Sequence, residues 1–287
     1  MGKTRIAAAA WALAPVIALA FHFGPGQRVY LHDVAASLQH AAVNLERDAQ
    51  ALQDRAHEAH LRAIEARQRA FVLQTPEAEA EVKARTEVES AAFEEASRAW
   101  MRVADAFGHI HEVAIGSSDE TLRQVRWARS RALVRAGEIW EGIGELESLL
   151  AEIGAEEGGG SALALAARQE LATAHYYGAR LRRLAGDPEE QWLIDSGKAR
   201  QHFRYLAEHA REAGMPDDRV ESHERDVELV LNLEQSALLD IQGKPLPQDS
   251  PGRCSGTRPG AGRKSPRPPN QRDGRGAGGA EEIRTGW

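Results

Sequence analysis

"AGEIWEGIGELESLLAEIG", residues 136–154, sets two glycines one residue apart, Gly142 and Gly144, inside a stretch that otherwise reads as helix. A glycine in a helix interior costs about 1 kcal/mol relative to alanine. Either the helix breaks here, or a neighbour comes close enough to require that a side chain be missing. Upstream, Asp119 and Glu120 open a helix that runs through Arg135, and Gly137 separates it from the quoted stretch. The two segments therefore read as the arms of a short helical hairpin.

A much longer hairpin precedes it. From Leu31 to Leu73 small apolar residues recur in alternating steps of four and three: Leu31, Ala35, Leu38, Ala42, Leu45, Ala49, Leu52, Ala56, Ala59, Ala63, Ala66, Ala70 and Leu73. This is a heptad seam, and a helix of that extent is about 65 Å long. Alanine at so many seam positions requires close approach by the partner, which suits an antiparallel hairpin. The partner follows at once: Thr75-Pro76-Glu77 gives an N-cap, a proline in the first turn and an acid at the positive end of the dipole. Val82, Val88, Ala92, Ala96, Ala99, Val103 and Phe107 supply its apolar face, and Gly108 is the expected stop.

Beyond the quoted stretch, "GAEEGGGS" at 154–161 reads as a break. A third pair is expected over 162–185 and 195–213, joined through "GDPEEQWLI", with a last helix from about Pro216 to Ile241. From Gly243 onward the chain holds seven of the 12 prolines and ten of the 26 glycines without apolar periodicity, which predicts a disordered basic tail over 243–287. The expected fold is all-α: a long N-terminal antiparallel hairpin (28–108), stacked helical pairs (109–242) and the tail.

The start of the chain reads as an address. Lys3 and Arg5 precede an apolar run from Ile6 to Phe21, the order of an export signal, and Ala18-Leu19-Ala20 fits a cleavage site. Residues 1–27 are thus a signal peptide or, if uncleaved, a membrane anchor through residues 6–23 with its basic end inside. Both readings place the remaining chain outside the cytoplasm, periplasmic or secreted.

Charge narrows the partners. The tail carries a net +5 and residues 1–242 a net −12, an acidic body unsuited to nucleic acid. Arginine outnumbers lysine 31 to 5, which genome composition would explain first and bidentate hydrogen bonding second. The single cysteine, Cys254, excludes an intramolecular disulfide and a cysteine-type zinc site.

Within the quoted stretch, Gly137 as a turn, Ile139 as a bulky position, Gly142 as a small one, and Ile143, Leu146 and Leu149 as a packing face resemble the second helix of a tetratricopeptide repeat. Ser130, Ala132 and Leu133 suit the first helix, although Arg126 and Arg129 stand where that family has an aromatic residue and a leucine. Ala199, Phe203 and Leu206, with Tyr176 and Tyr177, resemble the same unit more loosely, across a connection that is long for the family's turn. The resemblance covers residues 119–213. It implies a surface for protein or peptide recognition and no catalytic residues.

Motifs for chemistry are sparse. "HEAH" at 57–60 lacks the zinc-protease spacing, so His57 and His60 read as solvated. "HIHE" at 109–112 is the better local cluster, with His109, His111 and Glu112 as metal candidates at a helix end. No P-loop, nucleophile elbow or dinucleotide fingerprint is present, and no cofactor is expected. The expected function is that of a non-enzymatic scaffold or adaptor holding a partner protein at the cell envelope, with Trp127, Trp140, Trp192, Tyr205 and the terminal Trp287 as candidate anchors. The alternative is an extracytoplasmic sensor or helical bundle that binds a metal or small molecule through His57, His60, His109 or His111.

Overall fold

The computed structural model describes residues 15, 19, 25–114, 118–156, 160–238 and 241. Among these it contains seven α-helices and no strand: α1 (Pro25–Leu73), α2 (Pro76–Val113), α3 (Asp119–Ala136), α4 (Ile139–Glu156), α5 (Ala162–Leu184), α6 (Glu189–Glu212) and α7 (Asp217–Gln235). Each helix packs on the next in chain order, and α3 also touches α5. The chain is a stack of consecutive helical pairs, as the apolar periodicities predict. Of the expected export segment at 1–27, only Pro15, Leu19 and residues 25–27 are among the described residues, and the last three belong to α1; the tail at 243–287, with Trp287, lies outside them. No helix among the described residues is long and apolar enough to cross a membrane.

In the long hairpin the alanines of the seam are its innermost residues. Ala42, Ala49, Ala56, Ala63 and Ala66 are buried, whereas Leu38, Leu45 and Leu52 lie half-buried along the flank. The small methyl groups of this seam leave room for the larger inner-face side chains of α2, among them Phe93, Trp100 and Phe107. The helix begins at Pro25, earlier than the seam suggests, with proline in the first turn where its missing N–H is harmless. At the hairpin turn, the Ala78 N–H donates to Thr75 Oγ1 at 3.3 Å and Glu77 and Glu79 occupy the first turn of α2.

Two expectations for α2 need correction. Its inner face runs Ala78, Val82, Glu89, Phe93, Ala96, Trp100, Val103, Phe107 and Ile110, so Val88 is one residue out of phase and 57% exposed. The helix also passes through Gly108 to Val113. Burial of Ile110 against α3 outweighs the small helix penalty of one glycine.

At the out-of-phase point the seam turns polar. His60 Nδ1 lies 2.6 Å from Glu89 Oε1, and Arg67 donates to Glu89 Oε2 at 2.6 Å and to Thr86 Oγ1 at 3.3 Å. Both His60 and Glu89 are buried. His60 is therefore a seam residue with a carboxylate partner on the opposite helix, and the reading of it as solvated does not hold.

The base of the hairpin shares a core with α3. Trp100, Val103, Phe107 and Ile110 pack with Val125, Ala128, Ala132 and Leu133, while Ser97 Oγ donates to the Ala136 carbonyl at 2.6 Å and Arg131 pairs with Glu46. α3, α5 and α6 then end alike. Gly137, Gly186 and Gly214 sit at positive φ (96°, 72° and 62°), and each closes its helix with a pair of backbone hydrogen bonds back to the last turn. For α5 these run from Gly186 N to Arg183 O and from Asp187 N to Arg182 O. The connection to α6 is thus a tight turn, and α6 starts at Glu189, six residues before the sequence-based boundary. "GDPEEQWLI" is mostly helix because Trp192 packs inward, buried, with the Arg183 guanidinium 4.7 Å above its ring.

The far end of the stack is closed by arginines of α5. Arg183 donates to the carbonyls of Leu233 and Ser236, and Arg180 donates to that of Ile241 at 3.1 Å. Cations at the C-terminal end of α7 satisfy carbonyls that have no partner within the helix. Only Val230 and Leu233 of α7 are buried.

Candidate binding cleft

Where the end of α2 meets α3 and α4, the chain leaves an open cleft of about 640 Å³. Asp105, Gly108, His109, His111 and Glu112 line it from α2, Val125, Arg126 and Arg129 from α3, and Gly144, Glu145 and Ser148 from α4. Steps of three and four residues bring the α2 group onto one face. The two glycines of the opening stretch now separate. A Cβ on Gly142 would lie 2.6 Å from Val134 Cγ2 and 3.1 Å from the Ser130 carbonyl oxygen, so that glycine permits α3 and α4 to cross. A Cβ on Gly144 would meet nothing within 4 Å, because Gly144 faces the cleft.

The two arginines that depart from the repeat pattern form the wall. Arg126 pairs with Glu152 and reaches Ser148 Oγ at 3.4 Å, and Arg129 pairs with Glu145 and lies 3.3 Å from Glu141. Hydrogen bonds from Arg123 first, and from Arg126, hold the Glu152 carboxyl below the usual carboxylate range. These ion pairs join α3 to α4 along the cleft.

His109 and Glu112 face each other, with Nδ1 3.6 Å from Oε2, and both are exposed. His111, two residues on in the same helix, lines the same cleft. No group of three metal-ligating side chains comes together among the described residues.

Of the aromatic candidates Trp192 is buried, while Trp127, Trp140 and Tyr205 are half-buried. Trp127 lies between the two main apolar clusters beneath Arg131 (4.5 Å), Trp140 beneath Arg182 (4.4 Å), and Tyr205 beneath Arg168 (4.0 Å). With Trp192 beneath Arg183, each of the four candidate rings carries a guanidinium on one face. Such stacking contributes about 0.5–1 kcal/mol per pair, and a lysine would do it less well because it lacks the planar face. Part of the arginine excess therefore has a structural role.

A second polar cluster, buried between α4, α5 and α6, has no counterpart among the sequence candidates. His175 is 1% exposed, with Nδ1 3.1 Å from Asp195 Oδ1 and Nε2 3.6 Å from Glu147 Oε1. Arg182 Nε lies 2.9 Å from Asp195 Oδ2, and Lys198 donates to Glu147 at 2.8 Å. The His202 ring stacks on His175 with centroids 6.3 Å apart, and its Nδ1 accepts from Arg168 at 3.2 Å. Desolvation first, then the charges of Arg168, His175 and Lys198, push the His202 pKa down to about 4, with Glu147 opposing.

A pH dependence follows. The unfolded chain takes up a proton near the ordinary histidine value of 6.5, while folded His202 stays neutral to about 4. Its contribution to stability is full above pH 6.5 and is lost as the pH falls towards 4. Between pH 7.5 and 5 the urea midpoint of the parent is expected to fall more than that of His202→Asn, which keeps an acceptor for Arg168 and cannot titrate. Equal falls would remove His202 from the account.

Comparison with known protein families, with characterised proteins and with solved structures finds no match to this chain.

Proposed function

We propose that this protein is a non-catalytic helical adaptor, of the tetratricopeptide type in its 119–213 segment, which binds a segment of a partner protein in the cleft between α2, α3 and α4. The observation that carries the reading is Gly144. Like Gly154 and Gly197 it stands in a helix, at a cost of about 1 kcal/mol, with nothing within 4 Å of its Cβ position, and of these three it is Gly144 that lines the cleft. Around it the cleft offers Val125 as an apolar contact, Ser148 and His109 as hydrogen-bonding groups, and both signs of charge, the mixture that recognises a peptide. Gly137, Ile139, Gly142, Leu146 and Leu149 occupy the turn, bulky, small and buried positions expected of the repeat, which supports the family type. The export-type order of Lys3, Arg5 and the apolar run that follows supports a partner at the cell envelope, with that run as anchor if it is retained.

The test starts with a photo-crosslinking residue at Ser148 of the full chain, in the source cells, to identify the partner by mass spectrometry. Purified partner is then titrated against parent protein and Gly144→Phe. The expected result is at least a tenfold weaker Kd for Gly144→Phe with a melting temperature no lower than the parent's. No adduct from position 148, or equal Kd values, would reject the cleft as the binding site.

A further inference from the structure

The pair α6–α7 is the last unit of the stack, and the body holds it chiefly through α5: α6 packs on α5 and α7, and α7 on α6. A terminal unit in such a stack can open while the rest stays folded. The side-chain ties across the α5–α6 seam converge on the buried histidine cluster. Asp195 of α6 faces both His175 and Arg182 of α5, and His202 of α6 accepts from Arg168 of α5. A guanidinium can only donate, so this last bond exists only while His202 Nδ1 carries no proton. Protonation turns the acceptor into a donor aimed at a donor and sets a second cation against Arg168. The surroundings do not absorb that charge. Facing the two stacked rings, α4 supplies Glu147, α5 supplies Arg168 and Arg182, and α6 supplies Asp195 and Lys198, three cations against two carboxylates before either imidazole is charged. Both carboxylates are already engaged, Asp195 by His175 and Arg182, Glu147 by Lys198. On the far side of α6, Glu234 of α7 pairs with Arg200 and accepts from Ser196.

We propose that mild acid opens the seam between α5 and α6 and releases the α6–α7 unit from an otherwise folded stack, with His202 as the proton sensor. The proton is taken up in the open state, where the ring is solvated and away from Arg168, and its uptake draws the equilibrium towards opening. Opening bares Leu171 of α5 and Phe203 and Leu206 of α6, which are otherwise buried in the largest apolar cluster. The device thus converts a fall in pH into a new apolar surface. The bonds from Arg180 and Arg183 to backbone carbonyls at the end of α7 also break on opening, but they carry no titrating group and set only its cost at neutral pH. With His202 held near 4 in the closed state and titrating near 6.5 in the open one, a change from pH 7.5 to 5 multiplies the opening constant by about ten, after allowance for the solvent that reaches part of the ring. The seam is separate from the cleft, which α2, α3 and α4 form.

Amide hydrogen exchange of the full chain tests this, read by mass spectrometry at pH 7.5 and pH 5 with each rate divided by the intrinsic rate at that pH. Expected is an opening constant about tenfold larger at pH 5 across residues 189–235, without a comparable change across 25–156. His202→Asn keeps an acceptor for Arg168 and cannot titrate, so it is expected to lose the acid response. The other histidine of this unit held below its ordinary value by burial is His223, 3.9 Å from Asp226 on α7, and His223→Asn is expected to keep most of the response. Three results would overturn the proposal: no rise at pH 5 in the parent, a rise shared evenly by residues 25–235, or a full response in His202→Asn. The first two are read from the parent alone and decide the matter even if the variant does not fold.

Discussion

Leucine at position 142 is expected to cost about 3 kcal/mol or more of folding stability, whereas alanine at position 144 is expected to add up to about 1 kcal/mol. The two positions are two residues apart in one helix, so helix propensity cannot distinguish them. What does is the space at each Cβ. At Gly142 it would lie 2.6 Å from a Val134 methyl, 3.1 Å from the Ser130 carbonyl oxygen and 3.3 Å from the Val134 nitrogen. The methyl could rotate away, but two of these neighbours are backbone atoms. Relief would require α3 and α4 to move apart and expose Ile139, Leu146 and Leu149, which pack in the largest apolar cluster. At Gly144 there is only solvent, and replacement recovers the helix penalty. Urea denaturation of the two single variants measures both changes. If they have the same sign, the close crossing of α3 and α4 is wrong, and with it the best reason to read this pair as repeat-like.

The second large effect is expected at Glu89. Replacing it by alanine should cost about 2–4 kcal/mol, because Arg67 and His60 lose their shared acceptor inside the hairpin. A triple change, His60→Leu with Arg67→Met and Glu89→Leu, is expected to restore stability or exceed it, since apolar residues of similar size carry no desolvation cost. The natural cluster would then serve register. A seam of alanines is nearly the same after a slip of one heptad, and a buried polar contact is satisfied in one alignment only. Denaturation gives the stabilities, and spin-label distances between α1 and α2 give the register, which should broaden in the triple variant. If Glu89→Ala lies within 0.5 kcal/mol of the parent, as solvated groups do, the cluster holds nothing together.

Helices were legible in the sequence wherever an apolar period was long. The heptads of α1, the Thr75-Pro76 start of α2 and the Gly137 turn all stand where the residues place them, because each depends on neighbours within one or two turns. Errors arose where distant contacts decided the outcome. α2 passes Gly108 because Ile110 finds a site on α3, and α6 begins early because Trp192 packs beneath Arg183. The candidate site divides in the same way. His109 and Glu112 could be picked out as a local cluster, but Arg126, Arg129 and Gly144 join them only because three helices converge.

The sequence by itself determined an all-α chain of consecutive pairs with a long alanine-seamed hairpin, because hydrophobic period, caps and turn glycines are local properties of the chain. Only the tertiary structure decided which glycine packs and which faces a cleft, that His60 and His175 are buried beside carboxylates, and that Phe71, Val72 and Leu73 are left exposed. Those outcomes depend on which surfaces meet, and the same residue types at the same spacings would be buried or exposed according to the helix set against them.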